Sequence, residues 1–122
     1  MTPQSILIID QEQAVCDSLA LVLGEEGFRC FISYNAIDAQ EVLTSSDIDM
    51  VIVDSQLLDR NGLFSYLQCY YPAIKIILMS SYVEIEVTQK ALIAGAHDFV
   101  MKPLDFNELI GKVNYYFPSV HR

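Results

Sequence analysis

The sequence predicts an α/β fold, a five-stranded parallel sheet of strand order 2-1-3-4-5 covered by helices on both faces as a flavodoxin-like (βα)5 three-layer sandwich. Short apolar runs rich in β-branched residues alternate with segments of helical periodicity along the 122 residues. Right-handed crossovers between parallel strands favour this strand order. Hydrophobic residues make up 52% of the chain, enough for one sizeable core. We therefore expect a single domain over residues 1–122, with its core at about 5–117.

The first half of the chain predicts two strands and two helices. Residues 6–9 form the first apolar run, and a helical stripe follows that should break at Gly24 and Gly27. Residues 28–32 predict the second strand. Asn35 is a candidate N-cap for a short second helix.

The second half continues the alternation. The runs at residues 50–53, 76–79 and 99–101 predict the remaining strands. The helices between and after them are predicted by stripes at helical spacing: Leu63, Tyr66, Leu67 and Tyr70; Val87, Ala91 and Ala94; Phe106, Leu109, Ile110, Val113 and Phe117. Pro72, Gly95 as a C-cap and Pro118 should end these helices, and Asp105 should begin the last one.

Charge and cysteine usage exclude several classes of function. A formal charge of −9 and a pI near 4.3 argue against binding to nucleic acid or to an anionic membrane. Cys16, Cys30 and Cys69 have no metal-ligand spacing, and their odd number indicates free thiols in a reducing compartment. The start of the chain resembles neither a signal peptide nor a membrane span, so we expect a cytoplasmic protein.

Four predicted strands are each followed by a polar residue: Asp10, Asp54, Ser80 and Lys102. In an open α/β sheet the ligand lies outside the carboxyl ends of the strands, so these side chains should converge at one edge. Two acids, a hydroxyl and an amine suit the handling of a phosphoryl group with a divalent cation. Taken singly, each could be an N-cap, a turn residue or a loop residue, and only their combination favours a shared site.

These motifs resemble the receiver domains of two-component response regulators, and the resemblance spans the chain from Ile6 to Phe117. The matching pieces are the run ending at Asp10, the run ending at Asp54 with Gly62 downstream, the Leu-Met-Ser run at Ser80, and the segment 94–103. The resemblance implies that Asp54 is the phosphoacceptor. It also implies the remaining roles: Lys102 contacts the phosphate, Ser80 is the switch hydroxyl and Phe99 is the switch aromatic.

The family resemblance further implies a magnesium ion and two kinds of partner. Asp10, Asp54 and the backbone carbonyl of Gln56 would bind Mg²⁺, together with Gln11. A sensor histidine kinase or phosphotransfer protein would donate the phosphoryl group. An effector domain or a second copy would bind the face built by the fourth helix, fifth strand and fifth helix. Tyr115 and Tyr116 fall beside the stripe of the last helix, so we expect at least one of them to be exposed there.

The chain departs from the family pattern at two positions. Most receivers have a second acid after the first strand that binds the metal directly, but Gln11 stands there, so we expect weak magnesium binding. Glu12 should point away as the first helix begins. Leu58 replaces the usual proline and should loosen the loop after the phosphoacceptor. His97 is expected to be an exposed loop residue without a catalytic role.

The leading hypothesis is a phosphorylatable signalling switch rather than an enzyme. A degenerate pseudo-receiver, acting as a phosphorylation-independent interaction module, is the alternative. A flavodoxin-like cofactor binder is disfavoured because no phosphate-binding loop follows the first strand. A haloacid-dehalogenase-type phosphatase is disfavoured because Gln56 stands where that class has its second acid. The family pattern also places Gln56 and Tyr82 beside the path of an attacking water, which predicts a long-lived phosphoryl group.

Overall fold

A computed structural model, which describes residues 3–118, has a five-stranded sheet in the order β2-β1-β3-β4-β5 with every neighbouring pair parallel. The strands are β1 (Ser5–Ile9), β2 (Arg29–Ser33), β3 (Met50–Asp54), β4 (Lys75–Ser80) and β5 (Asp98–Met101). The predicted fold class and strand order are confirmed. The strand order reverses after β2, so that β3 is added on the other side of β1. β1 and β3 therefore lie side by side at the switch point of the sheet.

Within residues 3–118, five helices of eight or more residues cover the sheet: α1 (Gln13–Glu25), α2 (Ala36–Ser45), α3 (Leu63–Tyr70), α4 (Ile85–Ala94) and α5 (Phe106–Tyr116). A single helical turn, Ser55–Leu58, directly follows β3. Two 3₁₀ turns, Arg60–Gly62 and Tyr82–Glu84, precede α3 and α4. No helix within residues 3–118 combines the length and the apolar character needed to cross a bilayer.

Two hydrophobic cores lie on opposite faces of the sheet. Ile6 and Ile8 contribute to the core beneath α1 and α5, whereas Leu7 and Ile9 contribute to the core beneath α2, α3 and α4. Successive side chains of a strand point to opposite faces, so a strand covered on both sides must be apolar throughout. This explains the unbroken apolar runs of the sequence, and burying each such side chain contributes about 1.5–3 kcal/mol.

Capping residues place the helix ends largely where the sequence predicts them. The Asn35 side chain accepts a hydrogen bond from the Asp38 amide at 2.8 Å, and Asp105 accepts from the Asn107 amide at 2.9 Å. Gly95 ends α4 at φ +130°, a backbone conformation that favours glycine. Gly24 does not break α1, which continues to Glu25.

The predicted apolar stripes of α3 and α4 are partly wrong. Tyr70 is 71% exposed, and α3 is buried chiefly through Leu63 and Leu67. In α4 the buried residues are Thr88 and Ala91, whereas Val87 is half-buried and Ala94 is exposed. A polar residue therefore occupies the most buried position of α4, because hydrogen bonds to its hydroxyl replace apolar packing.

Candidate functional site

The four strand-end residues predicted from the sequence lie at the carboxyl edge of the sheet. Pairing of Ile9 with Val53 places Asp10 and Asp54 on neighbouring strands just beyond that pair. Ser80 ends β4, one residue past the partner of Asp54. The Lys102 amide donates to the Ser80 carbonyl at 2.7 Å, which carries the end of β5 to the same edge.

Asp10, Asp54 and Lys102 form what we call the charged cluster. The Lys102 ammonium nitrogen lies 2.7 Å from an oxygen of Asp10 and 2.7 Å from an oxygen of Asp54. Both carboxylates are buried, with Asp10 wholly inaccessible. Burial lowers the pKa of Lys102, but its hydrogen bonds to the two carboxylates outweigh this and raise the pKa above its ordinary value. The lysine is therefore firmly cationic, and it neutralises part of the charge of the two acids.

Each carboxylate also holds the loop that follows it. The second oxygen of Asp10 accepts a hydrogen bond from the Glu12 amide at 2.8 Å, and that of Asp54 accepts from the Gln56 amide at 2.9 Å. Asp54 is thus the N-cap of the turn Ser55–Leu58. The sequence left open whether each acid caps a turn or belongs to a shared site. Both acids do both, because each carboxylate uses one oxygen for the loop amide and the other for Lys102.

The donor set suits a hard divalent cation, although it is short of carboxylates. Asp10 and Asp54 each direct one oxygen at Lys102 Nζ, and carboxylate oxygens are ligands that Mg²⁺ prefers. Within residues 3–118 no group of three or more His, Cys, Asp or Glu side chains could hold a metal. Gln11 is exposed beside this edge, and the Gln56 backbone belongs to the turn after Asp54.

Glu12 lies differently from the sequence expectation. Its carboxylate is 68% exposed but approaches Lys102 Nζ to 3.5 Å, so it points toward the charged cluster rather than away. The residue before it forms the turn held by Asp10, and α1 begins only at Gln13, which leaves Glu12 at the N-cap with an extended backbone. Negative charge is thus available one residue beyond Gln11.

Ser80 belongs to a second polar cluster, which we call the hydroxyl chain and which consists of Ser55, Thr88 and Ser80. Thr88 donates to the Ser80 oxygen at 2.8 Å, and the Ser55 and Thr88 oxygens are 2.7 Å apart. Ser80 itself donates to the Ser81 carbonyl at 3.1 Å. All three side chains are at most 1% exposed. Sequence reasoning missed Ser55 and Thr88, although a threonine within the predicted stripe of α4 was a usable signal.

Polar side chains of the turn after Asp54 and of the loop after β4 contact one another. Glu84 is buried, accepts from the Ser81 amide at 3.3 Å and accepts from the Gln56 side chain at 3.3 Å. A hydrogen bond from the Ser81 side chain is the main reason why the pKa of Glu84 is lowered, and the Gln56 side chain, the Ser81 amide and the Lys102 charge lower it further against the effect of burial. Tyr82 is 85% exposed on the neighbouring 3₁₀ turn. An acid, Glu84, therefore lies near the charged cluster, which the sequence did not predict.

Phe99 is half-buried on β5, and Lys112 of α5 holds its backbone. The Lys112 ammonium donates to the Phe99 carbonyl at 2.6 Å and to Asp98 Oδ1 at 3.0 Å, and it lies 5.3 Å from the Phe99 ring centroid. The Phe99 amide donates to the same Asp98 oxygen at 2.8 Å. Both backbone groups of Phe99 are therefore satisfied by side chains.

Two loop residues contribute to the fold. Leu58 is 1% exposed and packs in the core beneath α2, α3 and α4, and its effect on the loop stays a prediction. The expectation that His97 is exposed is wrong. His97 is half-buried, and its Nδ1 accepts from the Ile76 amide at 3.0 Å. Burial, together with the charge of Lys75, lowers the pKa of His97, which keeps that nitrogen free to accept. Both residues act in the fold rather than in the site.

Comparison with known proteins agrees with this geometry. The family profile described as "Response regulator receiver domain" matches residues 6–114. The chain is similar to the response regulator protein PilR of Pseudomonas aeruginosa, at 31% identity over 89% of this chain and 25% of that protein. It is also similar to the transcriptional regulatory protein ZraR of Salmonella typhimurium, at 30% identity over 85% of this chain and 24% of that protein. The chain thus spans about a quarter of the length of these curated relatives.

Solved structures include a match over nearly the full length of both chains. The CheY-like receiver domain protein of Methanospirillum hungatei superposes with a TM-score of 0.85 at 26% identity, covering 94% of each chain. NtrX of Brucella abortus, solved in complex with ADP, superposes with a TM-score of 0.86 at 24% identity, covering 93% of this chain and 27% of that one. The second likeness supports the fold alone.

Proposed function

The chain belongs to the family of response regulator receiver domains, and from that premise we propose that it accepts a phosphoryl group on Asp54 and changes its surface in response. The observation that carries this proposal is the convergence of Asp10 and Asp54 on Lys102 Nζ, both at 2.7 Å. The family is one of signalling domains, and a histidine kinase is the phosphoryl donor that it implies.

The transfer joins an Asp54 carboxylate oxygen to phosphorus while the bond from phosphorus to the donor nitrogen breaks, and that nitrogen keeps the electron pair. Three anionic phosphoryl oxygens then lie beside Asp54. Lys102 is firmly protonated and already contacts Asp54, so its ammonium group can form an ion pair with one of these phosphoryl oxygens. Ser80 would supply a hydrogen bond to another. Asp10, Asp54 and the Gln56 carbonyl, with Gln11, are the residues that would hold Mg²⁺, which when bound neutralises phosphoryl oxygens.

Incubation with acetyl phosphate and magnesium tests the proposal. The intact mass should rise by one phosphoryl group, and Asp54→Asn should abolish the gain because an amide oxygen is a far weaker nucleophile. Asp59→Asn is the matched control, since Asp59 is exposed and lies in the same loop. Full modification of Asp54→Asn, or an unmodified native protein at high donor and magnesium, would contradict the proposal.

We also propose that signals leave through the face formed by α4, β5 and α5, toward an effector domain or a second copy. Tyr115 is 78% exposed and Ile93 is 88% exposed on these helices. Tyr116, by contrast, donates to the His97 carbonyl at 3.1 Å and is half-buried. Tyr115→Ser should therefore weaken a partner complex measured by light scattering, whereas Tyr116→Ser would also disturb the fold. Unchanged association of Tyr115→Ser would count against this face.

A further inference from the structure

The hydroxyl chain has a defined direction. Each hydroxyl carries one hydrogen and can accept at its oxygen. The Thr88 hydrogen goes to Ser80, at 2.8 Å, so Ser55 must be the donor in its 2.7 Å contact with Thr88. The Ser80 hydrogen goes to the Ser81 carbonyl, at 3.1 Å. Donation therefore runs from Ser55 through Thr88 to Ser80 and ends on the backbone.

In this arrangement the single hydroxyl hydrogen of Ser80, which the proposed switch would donate to the phosphoryl group, is already donated to the backbone. A phosphoryl oxygen on Asp54 would require the Ser80 hydrogen, which the Ser81 carbonyl now accepts. A serine side chain moves between staggered rotamers, and such a rotation displaces its oxygen too far to keep a 2.8 Å bond to a residue on another element. The Thr88 bond is thus present only while Ser80 keeps its present orientation.

We propose that Thr88 is a positioning residue that holds Ser80 in the resting orientation, so that turning the Ser80 side chain toward a phosphoryl group at Asp54 breaks this contact between β4 and α4. The inference rests on the proposed function of Asp54. Thr88 and Ser80 are both 0% exposed, so water cannot replace the broken bond in place. The free energy of this one neutral hydrogen bond then contributes to the equilibrium between the resting and switched states. Because Thr88 lies on α4, this helix loses a contact with β4 when the bond breaks.

The test measures the affinity of the whole chain for beryllofluoride, a phosphoryl analogue, at saturating magnesium by ¹⁹F NMR. Thr88→Val keeps the shape of the side chain but removes its hydroxyl, so it should bind beryllofluoride about fivefold more tightly, which corresponds to about 1 kcal/mol. Thr88→Ser restores the hydroxyl and should return to the native affinity. Thr88→Ala should show the same gain if the valine variant folds poorly. Thr44→Val, on the exposed face of α2, is the control for the substitution itself.

A second set of variants separates positioning from general loosening. In a Ser80→Ala background, Thr88→Val should no longer change the affinity, because the hydroxyl that it holds is absent. A gain that persists in this background, or native affinity in Thr88→Val, would overturn the role of Thr88 alone. Absence of beryllofluoride binding by the native protein, or equal binding by Asp54→Asn, would overturn the proposed function and this inference together.

Discussion

The charged cluster and the hydroxyl chain meet at two consecutive residues. Asp54 ends β3 and faces Lys102, whereas Ser55 begins the next turn and faces Thr88. The charged cluster links three strand ends through electrostatic attraction, which would also act on a divalent cation. The hydroxyl chain links the turn after β3 to β4 and α4 through short neutral hydrogen bonds that depend on contact and orientation. One edge of the sheet thus combines a part that responds to charge with a part that responds to geometry.

The two clusters should also differ in their response to pH. The pKa of Lys102 is raised in the folded state, so its stabilising contribution is complete below the unfolded value of about 10.4 and is lost as the pH rises through the folded value. The hydroxyl chain does not titrate in this range. In measurements of the free energy of unfolding from neutral to alkaline pH, we therefore expect the contribution of the charged cluster to fall and that of the hydroxyl chain to stay unchanged.

The largest expected effect comes from removing the cation. Lys102→Met leaves two buried carboxylates facing one another, so it should lower the free energy of unfolding by about 3 kcal/mol in the absence of magnesium. Added magnesium should restore more stability to this variant than to the native protein. Lys90→Met, at an exposed pair with Glu86, is the matched control and should cost about 0.5 kcal/mol or less. Urea titrations measure both. A loss as small as that of the control would show that the two acids are solvated.

Breaking the hydroxyl chain should cost less and should ignore magnesium. Thr88→Val leaves the buried Ser55 donor without its acceptor, which should lower the free energy of unfolding by about 2 kcal/mol. The exposed Thr44→Val should change it by about 0.5 kcal/mol or less. Urea titrations with and without magnesium separate the two clusters. Equal losses for Thr88→Val and Thr44→Val would mean that the chain contributes nothing to stability.

Restoring an acid beside Asp10 should strengthen the response of the charged cluster. Gln11→Asp adds a carboxylate where the family has one, and about tenfold tighter magnesium binding corresponds to about 1.4 kcal/mol. Glu12→Gln should weaken binding by less, because that carboxylate is 68% exposed. Calorimetric titration with magnesium measures both variants. No gain in Gln11→Asp would remove position 11 from the metal site.

The smallest expected effect comes from Tyr82, on the 3₁₀ turn after β4. Tyr82 is large and exposed there, so Tyr82→Ala should admit water more easily and shorten the lifetime of phosphorylated Asp54 by about two- to threefold, less than about 0.7 kcal/mol of barrier. The measurement is the decay of the intact phosphorylated mass after removal of the donor, at saturating magnesium. Exposed Tyr70→Ala, on α3, is the control. Identical decay in the two variants would show that Tyr82 does not hinder the water.

The sequence predicted the sheet and the convergence of Asp10, Asp54 and Lys102 because both follow from one pattern. A buried parallel strand must be apolar, so the first polar residue after it marks the sheet edge. The positions of Ser80 and of the capping residue Asn35 followed in the same way. Local patterns of this kind need no knowledge of which helix packs where.

Several residues that the sequence did not place correctly depend on contacts between distant segments. Thr88 is 33 residues from Ser55, and His97 is 21 residues from Ile76, so neither hydrogen bond leaves a local pattern. The prediction for Leu58 rested on the proline that it replaces in the loop. Its burial depends instead on the core beneath α2, α3 and α4. Glu12 was judged by helical direction, although α1 begins one residue later.

The Lys112 contact has a consequence for self-association. β5 is an edge strand, and a free edge offers unpaired amides and carbonyls to a strand of another molecule. At Phe99 both backbone groups are occupied, the amide by Asp98 and the carbonyl by Lys112. A foreign strand would have to displace a salt bridge before it could pair there. The same lysine that ties α5 to β5 therefore protects this edge of the sheet against edge-to-edge aggregation.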